Sequence, residues 1–215
     1  MKQRAKLELS NEDNMQLMAR YPDSYFDLAI VDPPYGIGES NKKQRTRKKH
    51  VNRVIHAAKS WDNSAPKKTY FKELERVSKN RIIWGGNYMT DNLPPSPCWL
   101  IWNKGFSEEV SFAQFEMAWA SFSSSAKKFD YNSAKNKQRI HPTQKPVKLY
   151  EWILDKYAKE GDKILDTHLG SGSIAIACQN RGFDLTACEL DKEYFEAATK
   201  RIETATAQTN IFDYI

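Results

Sequence analysis

The chain has 215 residues, enough for one well-buried core with at most a small appended lobe. Its formal charge of +6 and pI near 9.1 suit a polyanionic partner, although many basic proteins bind none. Three cysteines without paired close spacing, and no apolar run near the roughly 20 residues that span a bilayer, argue against a disulfide framework, a zinc cluster and a membrane span. We expect one soluble domain over residues 1–215, in a reducing cytoplasm.

A short helix and a buried strand are the first predicted elements. Residues 1–10 are polar and mixed in charge, and polar residues 10–14 precede an apolar helical pattern over 15–18. Asp13 is placed to cap that helix. The apolar run 27–31 then ends in an acid, two prolines, a tyrosine and Gly36, which predicts a buried strand that delivers a loop.

The loop residues suit an amino group on a flat ring. Because two prolines neither donate main-chain hydrogen bonds nor continue a helix, we expect the Pro33 carbonyl to point, unpaired, into a cleft beside the Asp32 carboxylate. Two adjacent acceptors suit an amino group, and Tyr35 offers a face on which a heterocycle can stack. The alternative is an ordinary proline turn with a capping acid.

The tetrad Asp32-Pro33-Pro34-Tyr35 after a hydrophobic strand resembles the catalytic loop of the S-adenosylmethionine-dependent amino-methyltransferases of DNA, most closely those that methylate adenine N6. The resemblance implies that these four residues are catalytic and that Asp32 also borders the cofactor. It further implies that Asp13 faces the adenine ring of the cofactor.

A basic segment, residues 39–60, follows the tetrad. Its charged residues are Lys42, Lys43, Arg45, Arg47, Lys48, Lys49 and Arg53. Such runs are usually solvated, but the position beside the loop favours contact with a nucleic acid backbone, which adds affinity without sequence information. Residues 123–140 form a second basic, flexible candidate for DNA contact.

The middle of the chain predicts further core elements. An amphipathic helix covers residues 70–77 and a buried strand covers 81–84, followed by Gly85-Gly86, which permits a tight turn or a close ligand approach. A proline loop leads to a strand at 98–102, and ragged alternation over 112–122 indicates more strands. The stretch from Gly85 to Lys104 also resembles the same family.

The sequence His141-Pro142-Thr143-Gln144-Lys145-Pro146 precedes an amphipathic helix. A capped core helix would need nothing more. However, Thr143, Gln144 and Lys145 place a hydroxyl, an amide and a cation at its start, able to hold the carboxylate and amine of an amino acid. The motif is similar to one that lines the methionine end of the cofactor in these methyltransferases.

A strand, a glycine loop and a helix follow at residues 164–181, and the next strand ends in Glu189, about 20 residues after the loop. Nucleotide-binding folds hydrogen-bond ribose hydroxyls there, and Asp166 can accept from a methionine ammonium. A dinucleotide fold competes, but the third glycine of its fingerprint is missing. The predicted cofactor residues are Asp166, His168, Leu169, Gly170, Ser171, Gly172, Ser173, Glu189 and Leu190. Thr167-His168 departs from the family's usual Pro-Phe, and a hydrogen-bonding role for His168 is favoured over a catalytic base.

Residues 191–201 predict a final amphipathic helix. The tail over 208–212 resembles the short peptide with which bacterial proteins bind the replication sliding clamp, or it docks on its own domain.

The order of the motifs resembles the circularly permuted β group of amino-methyltransferases. That family implies an α/β, Rossmann-like class I methyltransferase fold: a mixed, mostly parallel sheet with one antiparallel strand and helices on both faces. It implies methyl transfer from S-adenosyl-L-methionine to adenine N6 of a flipped-out base in double-stranded DNA. Relatives often form dimers, so a homodimer is a further expectation. Cytosine-N4 methylation, RNA amino-methylation and a silent DNA-binding module are the alternatives; a leading Asp, where N4 enzymes often have Ser, favours adenine.

Overall fold

The computed structural model describes residues 5–38, 62, 64–106, 113–132, 140, 141 and 143–212, with the backbone alone for 208–212. Within these ranges no helix has the length and apolar character needed to cross a membrane. The first basic segment, residues 39–60, lies outside the described residues, and so do residues 133–139 of the second.

Eight strands of the described residues form one mixed sheet. In chain order they are β1 (Leu7–Ser10), β2 (Phe26–Val31), β3 (Ser78–Trp84), β4 (Trp99–Asn103), β5 (Phe115–Ala120), β6 (Lys127–Asp130), β7 (Lys163–Asp166) and β8 (Asp184–Cys188). Across the sheet the order is β1-β8-β7-β2-β3-β5-β4-β6. Strand β5 runs antiparallel to both of its neighbours, and the other pairs are parallel. The predicted mixed, mostly parallel sheet with one antiparallel strand is confirmed.

Helices cover both faces of this sheet, as predicted. They are α1 (Asn14–Ala19), α2 (Lys68–Val77), α3 (Val147–Tyr157), α4 (Ser173–Arg181) and α5 (Lys192–Phe212). One core contains buried side chains of α3, α4 and α5, such as Ile153 and Ile174, and the other contains those of α1 and α2, such as Leu17 and Leu74.

Strand β2 shows why the central strands have continuous apolar sequences. Leu28 and Ile30 enter the core beneath α3 and α4, whereas Ala29 and Val31 enter the core beneath α1 and α2. A parallel strand that is covered on both faces needs apolar side chains at every position. Because β2 pairs in parallel with both β7 and β3, the segments that follow these three strands leave the sheet at the same edge.

Three local features differ from the sequence prediction. Strand β1 pairs with β8 in a stretch whose polar composition gave no strand signal. Strand β6 lies within residues 123–140, so the prediction of a flexible loop is wrong for Lys127–Asp130, whose main chain pairs with β4. Helix α5 continues to Phe212 instead of ending near Arg201, which makes the backbone of the tail helical.

Candidate active site

The carboxyl ends of neighbouring parallel strands bring the predicted site residues to one edge of the sheet. Asp32 follows β2, Asp166 ends β7 and Glu189 follows β8, and these three strands are adjacent. Ligands of open α/β sheets bind outside the carboxyl ends of the strands. The loop after β2 and the glycine loop after β7 therefore belong to one site.

Hydrogen bonds within the loop after β2, and from the loop to Asp62, fix its conformation. The Tyr35 hydroxyl donates to Asp32 Oδ1 at 2.7 Å, and the Gly36 N–H donates to Asp62 Oδ1 at 2.9 Å. Among the described residues, none donates a hydrogen bond to the Pro33 carbonyl oxygen. The Asp32 carboxylate and a main-chain carbonyl thus stand next to each other in the chain, as two acceptors for one amino group.

Lys145 lies beside the tetrad Asp32–Tyr35. The residue precedes α3 and is 2% exposed, and its Nζ lies 2.5 Å from Asp32 Oδ2 and 3.2 Å from the Tyr35 hydroxyl oxygen. Glu116 Oε2 lies 3.0 Å from the same Nζ. The Lys145 ammonium, which the sequence assigned to the methionine end of a cofactor, is paired with two carboxylates, and one of them is Asp32 of the tetrad.

Glu116 and Lys104 extend this pair into a row of four alternating charges. Lys104 Nζ lies 2.6 Å from Glu116 Oε1, and the row continues through Lys145 to Asp32. Sequence reasoning missed Glu116, although one signal was available: an acid at the second position of the otherwise apolar strand β5. An acid withdrawn from solvent among apolar residues requires a partner, which makes Glu116 a candidate site residue.

The row has a definite protonation pattern. Burial raises the pKa of Asp32, and the Lys145 ammonium opposes that effect without cancelling it. Burial also raises the pKa of Glu116, but the ammonium groups of Lys145 and Lys104 outweigh burial and hold its pKa below the usual value. Burial lowers the pKa of Lys145, and the two carboxylates more than restore it. Lys145 and Glu116 are therefore charged at neutral pH, and Asp32 is the carboxyl that protonates first.

The ring of Tyr35 stacks on Tyr88, with centroids 5.4 Å apart and an angle of 19° between the planes. Tyr88 is 50% exposed, in the turn that follows β3. Gly85 has φ +69°, and a Cβ at this position would lie 2.7 Å from Tyr35 Cζ. The sequence allowed two roles for this glycine, a tight turn or a close approach of a ligand. In the structure the Tyr35 ring occupies the space that a Cβ at position 85 would need.

The glycine loop after β7 is tied to its surroundings. Ser173 Oγ donates to the Lys145 carbonyl oxygen at 2.7 Å, and Arg201 of α5 donates to the Ser171 carbonyl oxygen at 2.6 Å. Gly172 has φ +71°, and a Cβ there would lie 2.8 Å from the Ile202 side chain of α5. Arg201 carried no sequence signal, because its partner is a main-chain oxygen.

Glu189 and Leu190 stand at the end of β8, beside the glycine loop. Glu189 accepts from the N–H groups of Gly170 and Asp191 at 2.9 and 3.0 Å. Each carboxylate oxygen keeps a further lone pair for a ligand hydroxyl. The Leu169 N–H donates to the Cys188 carbonyl oxygen of β8 at 2.9 Å. The Leu190 side chain is 71% exposed. The Glu189 carboxylate and the apolar Leu190 side chain are thus adjacent.

Asp166 is a buried carboxyl, 2% exposed, at the end of β7. Burial raises its pKa to about 8, although the His168 N–H donates to Oδ1 at 3.0 Å and opposes the change. At neutral pH the carboxyl is mostly protonated in this state. It becomes a favourable anionic partner when a cation enters the site.

His168 is hydrogen-bonded through both ring nitrogens. Nδ1 lies 2.9 Å from Thr167 Oγ1, and Nε2 lies 3.2 Å from Asn14 Nδ2. The Tyr70 hydroxyl joins this network at Thr167, at 2.6 Å. Burial lowers the pKa of His168 to about 4, so the ring is neutral at pH 7. Because an amide nitrogen only donates, Nε2 accepts and Nδ1 carries the proton. The geometry fits a hydrogen-bonding loop residue.

The remaining predicted residues have local partners. Asp13 Oδ1 accepts from the first N–H groups of α1 at 2.8 and 3.3 Å, which confirms its capping role. Gln144 is 7% exposed, and its Oε1 accepts from Ile140 N–H at 3.0 Å. The Thr143 hydroxyl lies 3.1 Å from His141 Nδ1. The seven predicted DNA-contacting lysines and arginines fall outside the described residues.

Comparisons with known proteins agree on the family and on the fold. The sequence model of the DNA methylase family matches residues 83–200, more than half of the chain. The type II methyltransferase M.HpaI of Haemophilus parainfluenzae is 38% identical over 81 residues, which are 37% of this chain and 25% of M.HpaI. The match thus spans about a quarter of that relative. The type II methyltransferase M2.DpnII of Streptococcus pneumoniae is 43% identical over 70 residues, 33% of this chain and 26% of the relative.

Two methyltransferases are similar in structure. The M1.HpyAVI-SAM complex has a TM-score of 0.60 and 17% identity, over 91% of this chain and 98% of that chain. The PvuII DNA methyltransferase, described as cytosine-N4-specific, has a TM-score of 0.60 and 11% identity, and the match covers 95% of this chain and 93% of that chain. At these identities the likeness establishes the class I methyltransferase fold.

Proposed function

This chain belongs to the DNA methylase family, and from that membership we propose that it transfers a methyl group from S-adenosylmethionine to the N6 amine of adenine in double-stranded DNA at a specific sequence. One observation carries the proposal: the Asp32 carboxylate and the Tyr35 ring lie at the same sheet edge as Asp166 and Glu189. An amine-binding loop and a candidate nucleoside-binding loop are thus brought together.

The proposed chemistry addresses a poor nucleophile. The N6 lone pair of adenine is delocalised into the ring. In our proposal Asp32 and the Pro33 carbonyl accept the two amine hydrogens, which favours a pyramidal nitrogen with a localised lone pair. Asp32 need not be a strong base, because the proton can leave after the methyl group has been transferred. S-adenosylmethionine supplies the electrophilic methyl group when it is bound.

The target base must leave the duplex to reach this loop. Inside a DNA helix the amine is not accessible to a buried carboxylate, so the base flips out. Tyr35 then gives up its hydrogen bond to Asp32 Oδ1 and offers its ring for stacking. Tyr88, already stacked on Tyr35 and half exposed, borders the position proposed for the base.

The donor set at the sheet edge fits S-adenosylmethionine. Asp166 is a buried carboxyl that suits the methionine ammonium, and Glu189 suits the ribose hydroxyls. Leu190, exposed beside Glu189, suits a face of the adenine ring. Asp13, Thr143, Gln144 and the loop from His168 to Ser173 complete the proposed cofactor site. Lys145 also belongs to this proposed set, because its carbonyl oxygen accepts from Ser173 of the glycine loop while its ammonium pairs with Asp32.

Transfer of labelled methyl from S-adenosylmethionine to unmethylated DNA, followed by digestion to nucleosides, tests the proposal. We expect N6-methyladenine. Asp32→Ala should abolish transfer and leave cofactor affinity nearly unchanged, whereas Asp155→Ala, in a surface ion pair with Arg181, should behave as wild type. Equal loss of transfer and cofactor binding in Asp32→Ala would contradict the assigned role. Tyr35→Ala should lower turnover because base stacking is lost.

Cytosine-N4 methylation is the second candidate, because the structurally similar PvuII enzyme is described as cytosine-N4-specific. The same acceptor geometry serves either amine. Asp32 at the first tetrad position, where N4 enzymes often have Ser, favours adenine. N4-methylcytosine in the digest would overturn the adenine proposal, and competition with RNA distinguishes an RNA substrate.

We propose three further partners: DNA phosphates, the sliding clamp and a second copy of this chain. The basic segment 39–60 contacts DNA phosphates, so neutralising Lys48 and Lys49 should reduce the salt dependence of binding. The residues over 208–212 contact the sliding clamp, which a pull-down with purified clamp tests. A homodimer is tested by light scattering. Three buried free cysteines suit a reducing bacterial cytoplasm, where a type II methyltransferase takes part in restriction-modification.

A further inference from the structure

Glu116 of β5 has no place in the proposed chemistry, yet it lies half-buried beside Lys145, with its Oε2 atom shielded from solvent. Its two oxygens face two lysines: Oε1 lies 2.6 Å from Lys104 Nζ and Oε2 lies 3.0 Å from Lys145 Nζ. The contact between Lys145 Nζ and Oε2 is an ion pair whose angles fall outside hydrogen-bond geometry. The structure thus contains a charged acceptor within reach of an ammonium that donates to Asp32.

Both oxygens of Asp32 are already engaged. The Tyr35 hydroxyl donates to Oδ1, and Lys145 Nζ donates to Oδ2. A target amine that binds to Asp32 draws on the same carboxylate charge that pairs with Lys145, and so weakens that ion pair. The Lys145 side chain is 1% exposed, and a buried ammonium that loses its partner is strongly disfavoured. A second anion beside the lysine keeps the ammonium paired inside the protein.

We propose that Glu116 is a positioning residue that takes over the Lys145 ammonium when Asp32 accepts the target amine. Glu116 Oε2 already lies 3.0 Å from Lys145 Nζ, within hydrogen-bond distance, so a small shift of the ammonium away from Asp32 completes a hydrogen bond to Glu116. Lys145 then stays buried and paired while Asp32 is available to the substrate. This inference rests on the proposed function.

The surrounding charges support this role. Lys104 and Lys145 hold the pKa of Glu116 below its usual value against the effect of burial, so Glu116 is an anion at neutral pH. The Trp84 ring also faces the ammonium, with its centroid 5.1 Å from Lys145 Nζ. Among the described residues, the Lys145 ammonium forms ion pairs with two anions, Asp32 and Glu116.

Two substitutions of Glu116 distinguish the effect of its negative charge from the effect of its side-chain length. Glu116→Gln keeps the side-chain length and removes the anion, whereas Glu116→Asp keeps the anion and shortens the side chain. We expect kcat to fall about 10- to 100-fold in Glu116→Gln, as the loss of one charge-assisted hydrogen bond implies, and about threefold in Glu116→Asp. Cofactor Kd and the KM for DNA should stay within about twofold of wild type.

The pH profile gives a second measurement. The charge of Glu116 raises the pKa of Asp32, so its removal should move the acidic limb of kcat/KM to lower pH in Glu116→Gln and leave it in place in Glu116→Asp. A higher kcat for Glu116→Gln than for Glu116→Asp, or an unmoved acidic limb in Glu116→Gln, would overturn the inference. Failure of the wild-type chain to methylate DNA would instead refute the proposed function, and the inference with it.

Discussion

Asp166 should release a proton when the cofactor binds. The carboxyl is buried at the end of β7, and burial raises its pKa to about 8, so it holds its proton at neutral pH in the free protein. In the proposed complex the methionine ammonium lies against it and favours the ionised form. The sign is fixed: a proton held before binding and lost on binding makes cofactor affinity increase with pH.

The size of the effect follows from the pKa of Asp166. With a pKa of about 8, about nine-tenths of the free protein carries the proton at pH 7. An adjacent opposite charge lowers a carboxyl pKa by about 1 to 3. If the lowering is about 2, binding at pH 7 releases about 0.8 proton, and Kd falls about sixfold between pH 6.5 and 7.5.

Calorimetric titration with S-adenosylmethionine in buffers of different ionisation enthalpy counts the released protons. Asp166→Asn is the matched control, because the amide keeps the shape and cannot ionise. The amine of S-adenosylmethionine titrates near pH 8 and is present in both experiments. The difference in proton release between the wild type and Asp166→Asn therefore reports the contribution of Asp166. Equal proton release by the two proteins, or no release by the wild type, would refute the reasoning.

Three further substitutions test the loop after β2. Lys145→Met should lower the free energy of unfolding in urea by about 3 to 5 kcal/mol, because it leaves Asp32 buried without its cation, and should move the acidic limb of the rate profile to higher pH. Gly85→Ala places a Cβ against the Tyr35 ring, so it should reduce turnover far more than Gly161→Ala, which shares the positive φ but has open space around it. Tyr35→Phe keeps the ring and loses one hydrogen bond to Asp32, so its kcat should exceed that of Tyr35→Ala.

The sequence predicted the central strands and missed both edges of the sheet. Strands β2, β3 and β7 are buried on both faces and have apolar runs that are visible without a structure. Strands β1 and β6 are four residues each and mostly exposed or half-buried, so no hydrophobic period marks them. Their pairing depends on main-chain hydrogen bonds to β8 and β4, which any side chain permits.

The same limit applies to the candidate site. Motifs gave Asp32, Tyr35 and Asp166, because each lies in a short segment of distinctive composition. The partner of Lys145 could not be predicted, because Asp32 is 113 residues away and no local pattern relates the two. Glu116 entered the site only through the antiparallel strand, whose register sets which of its side chains face the tetrad.

Lys145 connects the two halves of the site that the sheet brings together. Strands β2 and β7 are parallel neighbours, with Leu28 opposite Ile164. The loops that follow them therefore meet at one sheet edge, whichever of the two strands comes first in the sequence. The geometry therefore depends on strand order in the sheet and not on motif order in the sequence. The Lys145 carbonyl oxygen accepts from Ser173 in the glycine loop, while its ammonium holds Asp32. Lys145 thus contacts both loops, so we expect a substitution in the glycine loop to affect Asp32 through this residue.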